Sequence, residues 1–489
     1  MLIKDLIPEC EFNEKKENLN LEITSCSSDY KKADSKTLLF LLPGVNFDTY
    51  ELVPDFLKSG ARAIITENKA RFPKSKVPVI EVKSARRAFS YAMSNICEIN
   101  YDAISFIGVT GTNGKTSTAT MIRKILEYNE KRVGFIGTGK IEFENKRYTD
   151  NYYSMTSPDP DILYPVIKDM QSSGCEIIVM EASSHALELE KLAPINYKIG
   201  VFTGLSHEHL EFHGSMEKYF NAKEKLIKNS DMAIINFDDP WGKRLYEKYE
   251  NKATGIGVVW RSDIYATDVE NFGLCGIGYI YKGKNFITRI KLPLPGLYNI
   301  YNSMLAFDVA YKLNISPKNI KSALESIDKI DGRCECIFDE ITVVLDYAHT
   351  SYALENILKT INYDKDLRQK VVLVFGCGGE RDPSKRPLMA KVAEKFADKI
   401  ILTNDNPRGE DETKIIRDIE SGFTKKCYAV IRDRKEAITY AIRNASVGDI
   451  VVIAGKGHEK YIHDKNGYRY FDEKEIIKNA MKLRKGEEE

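Results

Sequence analysis

A glycine-rich segment of the chain combines residue types that bind the phosphates of a nucleotide. It reads Gly111-Thr112-Asn113-Gly114-Lys115-Thr116-Ser117, with an apolar run at 104–109 before it and a helical pattern after it. Glycines let backbone N–H groups surround an anion, a lysine reaches terminal phosphates, and a threonine hydroxyl can hold Mg²⁺. This order predicts a phosphate loop in an ATP-using enzyme, although Val109 stands where the common P-loop motif has its first glycine.

Two more clusters of polar residues follow apolar runs, at the strand ends where parallel sheets bind ligands. Glu181 follows the run 177–180, and three of the seven histidines, His207, His209 and His213, follow the run 199–202. A single histidine is usually a packing residue, but this concentration near a phosphate loop favours work on a metal or a phosphate. Because no cysteine lies close, oxygen ligands and Mg²⁺ are favoured over zinc.

The composition limits the classes of protein that fit. A chain of 489 residues predicts about three domains, each long enough to bury a core. Its 72 basic and 71 acidic residues nearly cancel, so we expect small-molecule partners, with no nucleic acid. No signal peptide and no apolar run of ~18 residues is evident, so we expect no membrane span and a cytoplasmic location. The nine cysteines lack paired Cys-x-x-Cys spacings, which favours free thiols over zinc.

Apolar runs separated by helical stretches predict an α/β fold of parallel sheets with crossover helices. We predict domains at 1–99, 100–331 and 332–489, the third of them doubly wound. The first domain has predicted strands at 37–42, 63–66 and 77–82 and helices at 50–59 and 85–95. The central domain has further apolar runs at 177–180, 199–202 and 233–235 and a helix at 299–312, and a linker follows at 329–332. The third has runs at 342–345, 371–375, 399–403, 428–431 and 450–454.

Many of these segments together resemble the Mur ligase family, most closely its members that add the third amino acid of the peptidoglycan precursor. Besides the phosphate loop, the matching residues are Glu181-Ala182-Ser183-Ser184-His185, His209-Leu210, His213-Gly214, Ala222-Lys223, Asn236-Phe237-Asp238-Asp239-Pro240, Asn299 with Asn302, Gly332-Arg333, Asp346-Tyr347-Ala348-His349, Gly376-Cys377-Gly378-Gly379, Asp405-Asn406-Pro407-Arg408 and Ala454-Gly455-Lys456-Gly457-His458-Glu459. The resemblance implies three domains, with a central P-loop ATPase-like parallel sheet and a C-terminal doubly wound, Rossmann-like domain.

The resemblance also implies an activity. Such an enzyme is an ATP-dependent carboxylate–amine ligase that adds meso-diaminopimelate to UDP-N-acetylmuramoyl-L-alanyl-D-glutamate through an acyl phosphate, and we expect a monomer. Three alternatives stay open. They are a divergent member of the family that uses L-lysine or another amino acid or acceptor, a phosphate-loop kinase or ATPase, and a catalytically silent binding homologue.

Site residues carried over by the resemblance fall into five groups. The catalytic residues are Lys115, Glu181, His209 and Lys223. The ATP-binding residues are Gly111, Thr112, Asn113, Gly114, Lys115, Thr116, Ser117, Asn299, Asn302, Arg333 and Asp346. The residues that bind the UDP substrate are Asp29, Thr156, Ser157, Ser183 and Lys191, and those that bind the amino acid are Arg381, Asp405, Asn406, Arg408, Gly455 and Glu459. Mg²⁺ is held by Thr116, Glu181, His209 and Lys223.

Two of these assignments have a physical reason. A lysine ammonium cannot ligate a cation, so Lys223 is expected as a carbamate, whose anionic oxygens can. The Arg408 guanidinium fits the far carboxylate of meso-diaminopimelate, whereas lysine would bring an amine against it.

Departures from the family pattern concentrate on the acceptor side. Tyr30 and Lys191 replace a usual serine and a common arginine, Gly204 replaces asparagine, and His207-Glu208 replaces an Arg/Gln-Asp pair. In the third domain Ser351 replaces proline and Glu380 replaces aspartate. The ATP machinery is complete, so these changes leave open which acceptor is used.

Overall fold

The computed structural model describes residues 1–13, 19–44, 47–149, 155–363, 365–425 and 427–486. The described chain contains sheets of four, eleven and six strands and a two-stranded hairpin, with helices packed on the three larger sheets. The predicted α/β class with a central parallel sheet is confirmed.

The first sheet is parallel throughout, in the order β1-β2-β3-β4. Its strands are β1 (Ser25–Ser27), β2 (Thr37–Phe40), β3 (Ala63–Thr66) and β4 (Val79–Glu81), and the accompanying helices are α1 (Ile3–Leu6), α2 (Val53–Lys58) and α3 (Ala85–Ile96). The helix predicted at 50–59 begins instead as a 3-10 turn, Thr49–Leu52, and becomes an α-helix at Val53. Pro54 explains the boundary, because a residue without an N–H fits the first turn of an α-helix.

The central sheet has the order β15-β14-β13-β12-β11-β10-β5-β9-β6-β7-β8. Its strands are β5 (Ser105–Thr110), β6 (Val133–Gly137), β7 (Lys140–Phe143), β8 (Lys146–Arg147), β9 (Ile177–Glu181), β10 (Tyr197–Phe202), β11 (Ser230–Asn236), β12 (Ala253–Gly257), β13 (Ile264–Asn271), β14 (Ile277–Lys282) and β15 (Ile287–Leu292). Its helices are α4 (Lys115–Tyr128), α5 (Pro160–Ser172), α6 (Ser184–Glu188), α7 (Leu210–His213), α8 (Met216–Lys228), α9 (Pro240–Lys248), α10 (Tyr298–Lys312) and α11 (Pro317–Glu325).

The four predicted runs of this sheet form the middle of its parallel part, β11-β10-β5-β9, which the unpredicted parallel strands β12 and β6 extend on either side. Their carboxyl ends meet at one edge, which brings the phosphate loop, Glu181 and the histidine segment together. The antiparallel strands at both ends of the sheet were not predicted. Several of their residues are exposed, as along β15, so they lack a continuous apolar run.

The third large sheet has the order β16-β17-β21-β18-β19-β20, and only β16 runs antiparallel to its neighbour. Its strands are β16 (Glu335–Phe338), β17 (Thr342–Asp346), β18 (Val371–Phe375), β19 (Lys399–Leu402), β20 (Tyr428–Val430) and β21 (Ile450–Ala454), and β22 (Tyr461–Asp464) with β23 (Gly467–Tyr470) forms the hairpin. Its helices are α12 (Ser351–Asn362), α13 (Lys385–Phe396), α14 (Glu412–Glu420), α15 (Arg434–Asn444) and α16 (Glu473–Arg484). One buried cluster joins α12, α13 and α14 to one face and another joins α15 and α16 to the opposite face, so the predicted doubly wound arrangement is confirmed.

The apolar core crosses the first predicted domain boundary. Phe40 and Ile65 of the first sheet belong to the same buried cluster as Phe106 and Ile178 of the central sheet. The first sheet therefore packs against the central one, and the boundaries at 99/100 and 331/332 stay predictions. Among the described helices, none is both long and apolar enough to cross a membrane.

Candidate active site

The phosphate loop connects β5 to α4 and has two glycines in the left-handed region. Gly111 has φ 145° and Gly114 has φ 84°, and a Cβ on Gly114 would lie 2.6 Å from Asn302 Oδ1. Lys115 Nζ donates to the carbonyl oxygens of Gly111 (3.1 Å) and Thr112 (2.9 Å). Burial lowers the pKa of Lys115, and the charges of Glu181 and Glu208 partly offset that effect. Lys115 is thus held against the phosphate loop, where it would contact the phosphates of a bound nucleotide.

Glu181 ends β9 and is completely buried. Its carboxylate accepts hydrogen bonds from Thr116 Oγ1 (3.0 Å), Thr138 N (3.0 Å) and Thr138 Oγ1 (3.1 Å). Thr138 was missed by the sequence analysis. The available signal was its position directly after the short apolar strand β6. The geometry gives Thr116 and Glu181 adjacent oxygens suited to a hard cation.

Lys223 on α8 has a buried amine. The residue is only 1% exposed, its Nζ donates to Gly111 O (2.7 Å), and it lies 4.7 Å from the centre of the Tyr219 ring. Burial, reinforced by the charge of Lys115, lowers the pKa of Lys223 well below its ordinary value. The neutral amine, which is the form that combines with CO₂, is therefore favoured here.

The three histidines of the predicted cluster lie in different surroundings: His207 is exposed, His209 is the candidate ligand, and His213 packs against His185 of α6. His209 is the N-cap residue that precedes α7 and lies in the left-handed region (φ 58°), with its ring 4.9 Å from that of His185. Burial lowers the pKa of His185 to about 3 and that of His213 to about 4, and His213 Nε2 lies 3.0 Å from Ser184 Oγ. Within the described ranges no three His, Cys, Asp or Glu side chains converge on a metal position. A metal set here would need a hydroxyl or carbamate oxygen as well.

The third sheet contributes an arginine to the phosphate loop. Arg333 Nη2 donates to Thr116 Oγ1 (3.0 Å), and its guanidinium lies 4.4 Å from the centre of the Tyr347 ring. Asp346 accepts the N–H groups of Cys334 (2.7 Å) and Ala348 (2.8 Å). Burial raises the pKa of Asp346, and Arg333 opposes that effect. Asp346 thus fixes the backbone beside Arg333.

A second contact between the two sheets was missed by the sequence analysis. His349 Nε2 lies 3.1 Å from Glu208 Oε1, and His349 Nδ1 lies 2.9 Å from Tyr347 O. Burial alone would raise the pKa of Glu208, but the hydrogen bond from His349 and the charges of His349, His209 and Lys115 hold it well below its usual range. Glu208 is one of the positions that depart from the family pattern, and here it joins the two sheets.

A cavity of about 560 Å³ lies on one side of the phosphate loop. Its walls include Thr112, Asn113, Gly114, Ser117, Asn236, Asp238, Tyr298, Tyr301, Asn302, Arg333, Asp346 and Tyr352. Asn302 reaches this wall, whereas Asn299 lies behind it, since its amide donates to Pro295 O (2.7 Å) and its carbonyl accepts from Asn302 Nδ2 (2.9 Å). Polar loop atoms on one side and tyrosine rings on the other suit a nucleotide.

A second cavity of about 520 Å³ shares the phosphate loop with the first. From the central sheet it is lined by Lys115, Thr116, Glu181 and His209, and from the third sheet by Arg381, Asp405, Asn406, Arg408, Gly455 and Glu459. The residues predicted to bind the substrate amino acid therefore face three of the predicted catalytic residues across one cavity. The fourth, Lys223, lies behind the phosphate loop.

A buried lysine, not predicted as a site residue, is hydrogen-bonded to residues that are predicted to bind the substrate amino acid. Lys456 is completely buried, and its Nζ donates to Asn406 Oδ1 (2.9 Å) and Glu459 Oε2 (3.2 Å). Asn406 Nδ2 donates to the same oxygen of Glu459 (2.9 Å). Burial opposes the ionisation of Asp405, yet Lys456 and Arg434 keep its pKa below the ordinary value. Gly455 has φ 121°, and a Cβ there would lie 2.5 Å from Asp405 Oδ2.

The residues predicted to bind the UDP substrate lie in two places. Near Glu181, Ser157 Oγ donates to Glu181 O (2.8 Å) and accepts from Ser183 N (3.1 Å), and Thr156 Oγ1 lies 3.1 Å from Thr138 Oγ1. Lys191 Nζ lies 2.6 Å from Asp159 Oδ1. Asp29 is separate, in the first sheet's loops, where its carboxylate caps a turn at Lys31 N (3.0 Å).

Comparisons with known proteins agree with this geometry. The chain matches the Mur ligase middle domain over residues 109–310 and the Mur ligase, glutamate ligase domain over residues 332–457. It is 36% identical to a UDP-N-acetylmuramoyl-L-alanyl-D-glutamate–2,6-diaminopimelate ligase of Clostridioides difficile, over 98% of this chain and 99% of that one. It is 35% identical to the enzyme of the same name from Clostridium tetani, with the same coverage.

A solved structure of a ligase with that name is also similar. The TM-score is 0.69 and the identity 28%, and the match covers 99% of each chain. The similarity thus extends over all three sheets and both cavities. The chain belongs to the Mur ligase family.

Proposed function

We propose that this protein is an ATP-dependent ligase that joins meso-diaminopimelate to UDP-N-acetylmuramoyl-L-alanyl-D-glutamate in peptidoglycan precursor synthesis. One observation carries the proposal: the phosphate-loop residues Lys115 and Thr116 face the amino-acid residues Asn406 and Arg408 across one cavity of about 520 Å³. Such a cavity can hold an activated carboxylate and an incoming amine together. The names of the relatives at 35% and 36% identity support the choice of substrates.

The chemistry must make a carboxylate into an acyl donor. Transfer of the γ-phosphoryl group of ATP to an acceptor carboxylate oxygen yields ADP and an acyl phosphate. The substrate amine then attacks the acyl carbon, the C–O bond to phosphate breaks, and inorganic phosphate and a proton leave as the amide forms. Both steps build negative charge on oxygen, which the Lys115 ammonium and the loop N–H groups stabilise electrostatically. Such a route needs no protein nucleophile.

The residues around Glu181 fit Mg²⁺. Thr116 and the buried Glu181 offer hard oxygen donors, and the neutral Lys223 amine can become a carbamate in a site where an ammonium would face Lys115. With His209 these residues would hold the metal. When bound, Mg²⁺ supplies positive charge at the phosphate oxygens.

Arg408 supports the choice of an amino acid with a second carboxylate. Its Nη1 donates to Gly379 O (2.7 Å) and to Asn406 O (3.4 Å), which fixes the guanidinium. Within the described residues its Nε and Nη2 have no hydrogen bond, which leaves them for a ligand. A far carboxylate would gain a charge-assisted hydrogen bond, whereas lysine would bring a like charge. Together these effects are worth ~4 kcal/mol, or about a thousandfold in specificity.

A phosphate-release assay tests the proposal by crossing several UDP-muramoyl acceptors with candidate amino acids. We expect phosphate release only with ATP, acceptor and amine together, with meso-diaminopimelate preferred about a thousandfold over L-lysine. Arg408→Ala should erase most of that preference. Release without an amine would favour a phosphate-loop kinase or ATPase, and equal use of L-lysine would contradict the substrate choice.

We also propose that the protein works in the cytoplasm as a monomer. The nucleotide-linked acceptor is a soluble molecule, and both cavities already have opposing walls from the central and the third sheet regions without a second copy. Light scattering with and without substrates measures the mass directly, and a dimer in both conditions would contradict this proposal.

A further inference from the structure

Arg381 and Arg408, which line the second cavity, lie on two loops of the third sheet, and four hydrogen bonds join these two loops. We call this second cavity the amino-acid cavity. The first loop, 376–381, carries Arg381, and the second, 403–411, carries Arg408. Gly379 N donates to Asn406 O (2.9 Å), and Arg408 Nη1 donates to Gly379 O (2.7 Å). Gly409 N donates to Glu380 Oε1 (3.2 Å), and Glu380 N donates to Glu410 Oε2 (2.9 Å).

A buried arginine is hydrogen-bonded to both of these loops. Arg386 on α13 is completely buried, and its Nη1 donates to Glu410 Oε1 (2.8 Å) and Asp418 Oδ2 (2.8 Å). Its Nη2 donates to Glu410 Oε2 (2.7 Å) and Gly378 O (3.3 Å). Both carboxylate oxygens of Glu410 therefore accept hydrogen bonds from the Arg386 guanidinium, and Oε2 also accepts one from the Glu380 N–H. Paired bonds of this kind fix direction as well as distance.

The backbone at the junction is unusual. Glu380 (φ 51°) and Arg408 (φ 53°) both lie in the left-handed region, which residues with a Cβ seldom adopt. The loops also approach closely, because a Cβ on Gly379 would overlap Pro407 O and one on Gly378 would lie 3.0 Å from Arg408 Nη1. A conformation of this kind persists only where its surroundings over-determine it. The hydrogen bonds of Glu380, Arg386 and Glu410 provide those surroundings.

We propose that Glu380, Arg386 and Glu410 form a positioning bracket that determines amino-acid preference. This inference rests on the proposed function. In the described chain none of the three residues is among those that line the amino-acid cavity, so they act through Arg381 and Arg408. The bracket holds the backbones of the two loops, and therefore the separation of the positions from which the Arg381 and Arg408 side chains extend. An amino acid with two carboxylate ends depends on that separation, whereas one with a single carboxylate depends on it less.

The experiment compares Glu380→Ala, Arg386→Lys and Glu410→Gln with the wild-type enzyme. Each variant is assayed for kcat and KM with meso-diaminopimelate and with L-lysine, for the KM of ATP, and for Tm. We expect the preference for meso-diaminopimelate to fall by at least about tenfold, since small misplacements of binding groups cost up to about a hundredfold. The change should lie mainly in the KM of meso-diaminopimelate, with the KM of ATP unchanged.

Two controls separate positioning from stability. Glu380→Gln keeps an acceptor oxygen for Gly409 N and should keep the preference. Arg123→Lys alters an arginine that likewise bonds two carboxylates, those of Glu127 (2.6 Å) and Glu142 (2.9 Å), but on helix α4, away from the bracket. This variant should lower Tm without changing the preference. Glu380 is exposed, so Glu380→Ala tests the bracket even where Arg386→Lys does not fold.

The outcomes distinguish the two proposals. If the wild-type enzyme is selective and Glu380→Ala and Glu410→Gln keep that selectivity, the bracket is only structural and the inference is overturned. An equal loss of kcat/KM for both amino acids would overturn it in the same way. A wild-type enzyme that joins no amino acid to the acceptor would instead overturn the proposed function, and the bracket with it.

Discussion

Arg333 donates a hydrogen bond to the Thr116 hydroxyl across 217 residues of sequence. The same hydroxyl donates to Glu181 Oε2, so one threonine joins the phosphate loop, the end of β9 and the third sheet. These two bonds hold Arg333 and Glu181 against the loop. Ligand binding at the loop has to rearrange or use these contacts, which makes the residues around Thr116 informative targets.

Lys115→Ala should reduce turnover by at least about 10³-fold, because a preorganised charge at the transferred phosphoryl group is worth several kcal/mol in the transition state. The measurement is steady-state phosphate release. Lys124→Ala, an exposed position on the same helix, is the matched control and should keep its rate. A near-normal rate for Lys115→Ala would remove the loop from the mechanism.

Thr138→Val should weaken the use of Mg²⁺ by about 10–100-fold, the usual effect of removing a partner that orients a metal ligand. The substitution deletes the hydroxyl that donates to Glu181 Oε2 and keeps the backbone N–H bond to Glu181 Oε1. Mg²⁺ titrations of the initial rate give the apparent affinity. Thr138→Ser should restore it, and an unchanged titration in Thr138→Val would show that this hydroxyl does not orient Glu181.

Lys223→Ala should be nearly inactive and partly rescued by acetate, which supplies the carboxylate oxygens of the missing carbamate. Wild-type protein in ¹³C-bicarbonate should give a carbamate carbonyl signal by NMR that Lys223→Ala lacks. Lys225→Ala, an exposed position on the same helix that pairs with Glu188, is the control and should keep the signal. Active wild-type enzyme with an unmodified lysine would contradict the carbamate.

The sequence predicted the strands and site residues that form a local pattern, but not the contacts between residues that are far apart in the chain. The strands β5, β9, β10 and β11 were predictable because each is a continuous apolar run, and the site residues that follow them were found with them. Thr138 and His458 could not be joined in this way, although His458 Nε2 lies 2.9 Å from Thr138 O. Their contact crosses 320 residues and exists only when two sheets pack together. The same holds for Glu208 with His349, which no local pattern records.

Lys191→Arg should strengthen acceptor binding by about tenfold, because a guanidinium offers two parallel donors where lysine offers a point charge. In the wild-type protein Lys191 Nζ is engaged by Asp159 Oδ1 (2.6 Å), and Tyr30 replaces a usual serine. We therefore expect weak wild-type binding of UDP-N-acetylmuramoyl-L-alanyl-D-glutamate, measured by titration calorimetry. If no acceptor binds at millimolar concentration while ATP binds normally, a divergent member of the family with another acceptor is indicated.

The contribution of the Arg386–Glu410 ion pair to the stability of the folded protein should decrease as the pH falls. The hydrogen bonds from Arg386 lower the pKa of Glu410 to about 2, against an ordinary value of 4.5. Because the folded pKa lies below the unfolded one, the stabilisation is fully present above pH 4.5 and is lost as the pH falls towards 2. Glu410→Gln should thus be less stable than wild type at neutral pH, and the difference in Tm should shrink in acid. A constant difference would show that the carboxylate charge is not what stabilises the pair.

The second cavity needs walls from Thr112 through Tyr461, that is, from most of the length of the chain. A ribosome makes the phosphate loop well before the segment with Gly455 and Glu459. A nascent chain that has completed the central sheet therefore has the loop but no opposing wall, so water rather than an amine would attack any acyl phosphate formed there. Competence for ligation arises only after the segment with Gly455 and Glu459 has been made and has folded onto the third sheet.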